Sequence, residues 1–458
     1  MPRVAVVGWD GLRPDLIDAR TTPTLSALRA RAFRFPRARS VYPSETRPNN
    51  ATIGTGAQPG AHGITANHMF APDVVGHLNT GDPSQLLAIG QKYGRVVLPP
   101  TLGEVMASGG KRLAVLGSGS PGQTLLQNPH GAGWTINRAF RVPVDLDAVL
   151  GTMPAADADR DSVDRFLQTA LLDVALPRLD PDVFILWSSE PDGSLHTHGL
   201  GSPEVRAALR RNDDRLARLL DRLDLSHTTL LFLSDHGHAT VRPGASVRVE
   251  LERAGLANRA QIEVTAAGRG IHIRGAARAR LPRIVTWLAE QTWCGPIFAR
   301  DDLPATDFPA SVASASSLWG GNAGRWVPDL FWSPSWGDES NLYGVPGWST
   351  GDASSADRLQ SDHGALSPWE MGNVMFAIGA GVFPPADSSL PASPADVAPT
   401  ILHLLGCERP TSMTGRPLLE AFGGATPPES ERIVSHGGWG VLRERRVGAA
   451  TYVDVARD

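Results

Sequence analysis

Seven side chains able to hold a metal ion are spread along the chain: Asp10, Thr46, Asp192, His196, Asp235, His236 and His363. Five of them follow hydrophobic runs that read as β-strands. Asp10 comes after Val4-Ala5-Val6-Val7, Asp192 and His196 after Val183-Phe184-Ile185-Leu186-Trp187, and Asp235 and His236 after Leu230-Leu231-Phe232-Leu233. An open α/β sheet binds ligands at the carboxyl ends of its strands, so segments far apart in sequence can meet at one sheet edge. An oxygen and a nitrogen donor side by side, as in Asp235-His236, suit a borderline cation such as zinc. The pattern predicts a two-metal hydrolase.

Each piece is weak alone. Asp235-His236-Gly237 can equally be a solvated turn, and Glu190-Pro191-Asp192-Gly193-Ser194-Leu195-His196 a loop with surface carboxylates. Asp362-His363-Gly364 adds a third histidine followed by glycine, and three such clusters in one chain argue for a site. A nucleophile is offered by Tyr42-Pro43-Ser44-Glu45-Thr46-Arg47-Pro48-Asn49-Asn50, a loop before a small-residue helix read as Ala51–Gly56. A hydroxyl at a helix N-terminus sits among free N–H groups that favour an anion. A coordinated cation would make it an alkoxide. The plainer reading of Ser44 and Thr46 is helix capping.

The elements that must position these residues alternate strand and helix. Thr22-Pro23 opens a helix with Leu25, Leu28 and Ala32 on its apolar face, and Arg112–Leu116 is the next strand. Ser202-Pro203 opens a long amphipathic helix to about Leu223, followed by the strand Thr228–Leu233. Val374–Ile378 is a late strand and Ala395–Leu405 a late helix. The alternation predicts an α/β fold, a mostly parallel central sheet with helices on both faces. Residues 241–355 change in character and hold many of the tryptophans; they read as an inserted cap within a single catalytic domain spanning 1–458. The last thirty residues read as irregular.

With 43 basic and 47 acidic residues the formal charge is −4, so no global field attracts a nucleic-acid polymer. Cys294 and Cys407 are too few for a disulfide framework and read as two unrelated thiols. No apolar run is long enough to cross a membrane, and no secretory leader precedes the first strand, which makes the cytoplasm the default location.

The segments Gly8-Trp9-Asp10-Gly11, Ser44-Glu45-Thr46-Arg47-Pro48-Asn49, Thr55-Gly56 with His62-Gly63-Ile64, Glu190-Pro191-Asp192 with His196, Ser234-Asp235-His236-Gly237 and Asp362-His363-Gly364 occur in this order. Together they resemble the type I phosphodiesterase/nucleotide pyrophosphatase branch of the alkaline phosphatase superfamily. Asp396-Val397-Ala398-Pro399-Thr400-Ile401 is similar to the helix that closes the core there. The resemblance implies an alkaline phosphatase-like fold and two divalent ions, zinc being the favoured metal. One ion would take Asp10, Thr46, Asp235 and His236, and the other Asp192, His196 and His363. Thr46 matches the nucleophile, and Asn67 matches an asparagine that donates to a phosphoryl oxygen, although Ala66 stands where relatives often have aspartate. His198 and His238 match no ligand and are expected at the surface or behind the ligands.

The resemblance further implies cleavage of phosphodiester or pyrophosphate bonds through a phospho-threonine, on a small phosphorylated substrate such as a nucleotide. Monoesterases of the superfamily usually add a basic residue for the extra negative oxygen. The corresponding segment, Gly117-Ser118-Gly119-Ser120-Pro121, has none, and Lys92 and Lys111 lie outside every motif, so diesters are expected to be preferred. Arg47 is the one residue that would upset this. Phosphonates, monoesters and sulfate esters are alternative substrates of the same superfamily. A sulfatase proper is disfavoured because the nucleophile loop lacks Cys or Ser followed by x-Pro-x-Arg. A non-catalytic metal- or phosphate-binding protein is the alternative from another class, and the intact ligand set argues against it. Trp319, Trp326, Trp332 and Trp336 either stack on a base or pack a small core, packing being the plainer reading.

Overall fold

The computed structural model describes residues 3–456, apart from 144–145, 147–149, 156, 266–268, 304–307, 310, 320–323 and 352–359. Its centre is a nine-stranded sheet. In chain order the strands are β1 (Arg3–Trp9), β2 (Phe33–Arg34), β3 (Leu113–Gly117), β4 (Trp134–Asn137), β5 (Phe140–Val142), β6 (Val183–Ser188), β7 (Thr228–Leu233), β8 (Met375–Gly379) and β9 (Ala386–Asp387). Their spatial order is β9-β2-β8-β7-β1-β6-β3-β4-β5. The run β7-β1-β6-β3-β4 is parallel throughout, while β8 joins β7 antiparallel.

Near-continuous Val, Leu, Ile and Phe content is what a strand buried on both faces requires. Side chains alternate across such a strand. Ala5, Val7, Phe184, Leu230 and Phe232 therefore pack with Leu25, Leu28, Leu209 and Leu216 on one face. Those helical residues come from α1 (Pro23–Ala30) and the long helix Pro203–Leu220. Val4, Val6, Ile185, Leu231 and Leu233 pack with Ile53, Leu102, Ile401 and Leu402 on the other. The expectation of a mostly parallel sheet covered on both faces matches this architecture.

Three features depart from the sequence reading. The helix after the nucleophile loop, α2, runs Thr46–Thr55 and starts five residues before Ala51, because Pro48 is tolerated in a first turn. It places Thr46 at the first helical position. The C-terminal segment is an antiparallel sheet of Glu429–Gly437, Gly440–Val447 and Ala450–Ala456, not an irregular tail. Its Leu442 and Val455 pack with Tyr42 and Leu366, next to the nucleophile and His363 loops. The late helix, Val397–Leu405, starts after a short turn, Pro394–Asp396.

Residues 239–362 carry two further sheets, of four and five strands. Ala239–Arg242 pairs with both Pro346–Thr350 and Ser361–Asp362, which returns the chain to the main sheet beside His363. The five-stranded sheet has its own core, including Ile284, Val285, Leu288, Ile297 and Trp332. Trp319, Trp332 and Trp336 are buried, and Trp326 donates to Asp73, so these indoles pack or bond within the protein. Cys294 and Cys407 are free thiols. Among the described residues no helix is long and apolar enough to cross a membrane.

Candidate active site

The adjacency of β7, β1 and β6 assembles the site. Asp10 follows β1, Asp235 and His236 follow β7, and Asp192 opens α5 (Asp192–His198) just after β6. The peptide N–H of Asp192 donates to the Asp10 carbonyl at 3.1 Å, tying the two strand ends together. Asp10, Asp235 and His236 form one group able to hold a metal ion. Here His236 Nε2 is 3.3 Å from Asp10 Oδ1 and 3.6 Å from Asp235 Oδ2. Thr46 Oγ1 lies 3.2 Å from the same Nε2.

The second group centres on Asp192. Its Oδ1 is 3.3 Å from His196 Nε2 and 3.5 Å from His363 Nε2. The rings of His236 and His363 stack with centroids 3.7 Å apart, so the two groups are contiguous. All seven predicted ligand candidates are thus brought together.

The donor chemistry fits metal ions. His236 Nδ1 contacts the Gly237 carbonyl at 3.0 Å, His363 Nδ1 that of Ser44 at 2.8 Å, and His196 Nδ1 that of Ser361 at 2.9 Å. A carbonyl only accepts, so each Nδ1 carries a proton, which leaves Nε2 as the nitrogen able to turn a lone pair to a cation. Such outer bonds orient imidazole ligands. Asp10 Oδ1 is buried with no hydrogen-bond donor, as expected of an atom reserved for a cation.

Without a cation the electrostatics are under tension. Burial, then the charge of Asp192, pushes Asp10 above the usual carboxylate range, and burial with the charge of Asp10 pushes Asp235 well above it. Burial also opposes charge on Asp192, but His196, His238 and His363 hold it well below that range. Burial opposes charge on His236 too, yet Asp235 and Asp10 push it up to about 10. Burial and the charge of His236 hold His363 well below its ordinary value. Protons on some imidazoles thus serve where divalent ions would serve better.

Of the two histidines expected at the surface or behind the ligands, each takes one of those places, and further supports come from residues not singled out in the sequence. His238 is buried and its Nε2 lies 2.8 Å from Asp192 Oδ1, whereas His198 is exposed. Gln123 donates to Asp10 Oδ2 at 2.6 Å from helix α3 (Pro121–Gln127). Asn50 donates to Asp235 Oδ2 at 3.2 Å and is held by Gln127 at 2.6 Å. Gln123 and Gln127 are four apart on one helix, so they share a face. Arg269, just before the strand Gly270–Ile273, pairs with Glu45 at 3.2 Å and donates to the His363 carbonyl at 2.9 Å. Asp362 joins His196 and His363 in a further metal-capable group.

Asn67 Oδ1 accepts from the Arg47 N–H at 3.0 Å, which turns its Nδ2 donor end the other way. Ser44 is fully buried; its hydroxyl donates to the Ala365 carbonyl at 2.7 Å and accepts from Gly364 N–H at 3.0 Å. It braces the His363 loop and is not free to attack. The glycines behind the histidines have steric causes. Gly364 has φ +111°. A Cβ on Gly237 would stand 2.2 Å from the Trp369 carbonyl. Gly237→Ala is therefore expected to cost about 1–3 kcal/mol, as overpacking does, and to displace His236. Urea denaturation alongside metal content checks both effects, and an unchanged midpoint would disprove the contact.

A cleft of about 280 Å³ opens over Thr46, lined by Asp10, Arg47, Asp192, Arg138 and Arg160 among others. Arg47, the residue that the sequence reading singled out as able to supply a base, lines this cleft together with Arg138 and Arg160. Arg47 is largely buried, and its Nε meets no hydrogen-bond partner. Burial lowers its pKa, against the charges of Glu45 and Asp10. The corresponding segment does lack a base, but long-range folding supplies arginines from elsewhere.

Comparison with known proteins agrees with this architecture. Murine ectonucleotide pyrophosphatase/phosphodiesterase 5 superposes with a TM-score of 0.61 at 16% identity, over 89% of this chain and 95% of that one. The fold is thus alkaline phosphatase-like. A profile of the type I phosphodiesterase/nucleotide pyrophosphatase family matches residues 4–290, and the chain belongs to that family. An uncharacterized pyrophosphatase/phosphodiesterase of Schizosaccharomyces pombe is 28% identical over 243 residues, 52% of this chain and 44% of the relative. Mouse ectonucleotide pyrophosphatase/phosphodiesterase family member 3 is 27% identical over 244 residues, 52% of this chain and 25% of the relative. The matched stretch thus spans less than half of either relative.

Proposed function

We propose that the chain hydrolyses phosphodiester or pyrophosphate bonds through a phospho-threonine on Thr46, with two divalent ions, zinc favoured. The observation that carries this is the hydroxyl of Thr46, at the N-terminus of α2, 3.2 Å from His236 within a double cluster of carboxylates and imidazoles. Asp10, Asp235, His236 and Thr46 would hold one ion, and Asp192, His196 and His363 the other. Bound there, the ions would acidify the Thr46 hydroxyl and neutralise the phosphoryl oxygens.

The chain's own residues do the rest. Thr46 Oγ1 attacks phosphorus in line with the leaving oxygen, forming the phospho-threonine and breaking the ester or anhydride bond. Water then cleaves that intermediate and regenerates Thr46. Asn67 Nδ2 and the N-terminal dipole of α2 stabilise the negative oxygens as charge develops. His238 and Gln123 keep Asp192 and Asp10 in place. A related protein, murine ectonucleotide pyrophosphatase/phosphodiesterase 5, was solved as an inactive threonine-to-alanine variant in complex with AMP. That supports a nucleotide-sized phosphorylated substrate.

The test is zinc-loaded protein on p-nitrophenyl esters: bis-phosphate, thymidine 5′-phosphate, monophosphate, phenylphosphonate and sulfate. Turnover of the diesters is expected. A folded, zinc-loaded protein that cleaves only the sulfate would sink the reading.

Arg47 supports a second reading, with a dianionic monoester or phosphonate as substrate. A charge-assisted hydrogen bond contributes about 1.5–3 kcal/mol, or roughly ten- to hundredfold in rate. Arg47→Ala should thus reduce p-nitrophenyl phosphate hydrolysis by about that factor and diester hydrolysis by less. Equal losses on both would show that Arg47 does not read the extra charge.

A further inference from the structure

Arg138 and Arg160 border two cavities at once. Both line the cleft over Thr46, and both line a neighbouring cavity of about 660 Å³ where Arg211 and Arg215 stand with Asp159, Asp161 and Glu190. They come from different places: Arg138 from the turn joining β4 to β5, Arg160 from the first residue of α4 (Arg160–Thr169). We propose that these two arginines receive a second anionic head, a carboxylate or phosphate, carried by the substrate beyond the scissile phosphorus. This rests on the hydrolase reading of the Thr46 site and narrows its substrate class.

Four observations converge. First, the two guanidinium groups are only loosely engaged. Arg138 reaches the Ala158 carbonyl at 3.5 Å, and among the described residues the carboxylate nearest Arg160 is Glu190 at 3.8 Å. Arg215, in the same neighbouring cavity, is instead consumed by Asp161 and by Asp164 at 3.2 Å. Second, the carboxylates of the cleft, Asp10 and Asp192, are metal-ligand candidates and so do not neutralise the arginines.

Third, Arg160 is seated against the ligand helix. A Cβ on Gly193 would lie 2.4 Å from the Arg160 guanidinium carbon, so the bare glycine lets the charge rest against the first turn of α5. Fourth, no aromatic residue is among the described residues lining the cleft; its remaining wall includes Ser118, Gly119, Ser120 and Ser189. A base or other flat apolar group would find nothing to stack on. An anionic head would find two planar guanidinium groups suited to paired hydrogen bonds. Arg47, beside Thr46, is left to face the phosphoryl group.

The experiment compares three diesters that all release p-nitrophenolate: phenyl, 4-carboxyphenyl and 4-phosphonophenyl p-nitrophenyl phosphate. Zinc-loaded wild type should prefer the anionic esters in kcat/KM by about tenfold or more, the range of one charge-assisted bond. The larger of the two preferences identifies the head. In the Arg138→Ala/Arg160→Ala double variant the ratio to the phenyl ester should fall to about one. Both side chains are exposed, so folding should survive, and thermal melts check it.

A wild type without anionic preference, or a double variant that keeps it, overturns the proposal. If no ester is cleaved, the hydrolase reading fails while the arginine site is still read by calorimetry. Zinc-loaded protein is titrated with phenylphosphonate and 4-carboxyphenylphosphonate. About tenfold tighter binding of the carboxylated ligand, lost in the double variant, supports the site; equal affinities overturn it.

Discussion

Thr46→Ala is expected to reduce turnover by about 10⁴- to 10⁶-fold, as removal of a nucleophile does in enzymes whose groups act as a unit. Folding should be unaffected. Thr46 occupies the first helical position of α2, where its side chain caps nothing, and alanine is the better helix former. The informative control is Ser44→Ala. The Ser44 hydroxyl satisfies a buried carbonyl of Ala365 and a buried N–H of Gly364. Its loss leaves both unpaired, costing about 1–3 kcal/mol each, and loosens the loop that carries His363. That variant should melt earlier yet retain measurable activity. The pair of melts and single-turnover rates separates the two hydroxyls. A Thr46→Ala protein with more than a trace of activity, or a well-folded but dead Ser44→Ala protein, would place the nucleophile elsewhere.

The candidate site was legible in sequence wherever a metal-capable residue sits at the end of a strongly apolar strand. Asp10, Asp192, Asp235 and His236 are of this kind, and the parallel neighbours β7, β1 and β6 bring them to one edge. His363 was legible only as part of an ordered set, since it follows a two-residue strand, Ser361–Asp362, with no apolar run of its own. His238 was read as lying at the surface or behind the ligands, and the second of these is where it sits. In an extended segment residues two apart point the same way, so His238 follows His236 back toward the cluster and reaches Asp192.

Other features left little local signal. The start of α2 was hidden by Pro48 and Asn49-Asn50, poor helix formers whose side chains here pay their way through the hydrogen bonds of Asn49 to Ser40 and of Asn50 to Asp235. The C-terminal strands mix arginine and glutamate with their apolar residues, and cross-strand ion pairs such as Arg432 with Glu444 at 2.8 Å support them. Arg138 lies in the turn between two short strands and Arg160 at the polar start of an amphipathic helix, positions where an arginine is ordinarily a solvated surface residue. Only the tertiary fold shows that a hairpin turn and a helix start meet over Thr46.

Removing metal should have the broadest effect. Asp10 and Asp235 are almost completely buried, face one another across His236, and are pushed upward by burial and by each other's or Asp192's charge. Such a cluster is costly without cations, because like charges in a dry site cannot all ionise. Ions that bind only the folded state return stability by mass action, about 4 kcal/mol when free metal is a thousandfold above Kd. Protein dialysed against chelator should therefore lose turnover and several degrees of Tm, and zinc should restore both with an uptake of about two ions per chain. Asp192→Asn tests the division into two groups. Asp192 contacts His196, His238 and His363, whereas the Asp10, Asp235 and His236 group stands without it. That variant should drop to about one ion per chain and keep part of the zinc-dependent rise in Tm. If the chelated protein keeps its activity and its melting temperature, the carboxylates and imidazoles form a self-sufficient polar network and the metal assignment fails. If Asp192→Asn binds no ion at all, the two groups form one cooperative centre in place of two separable ones.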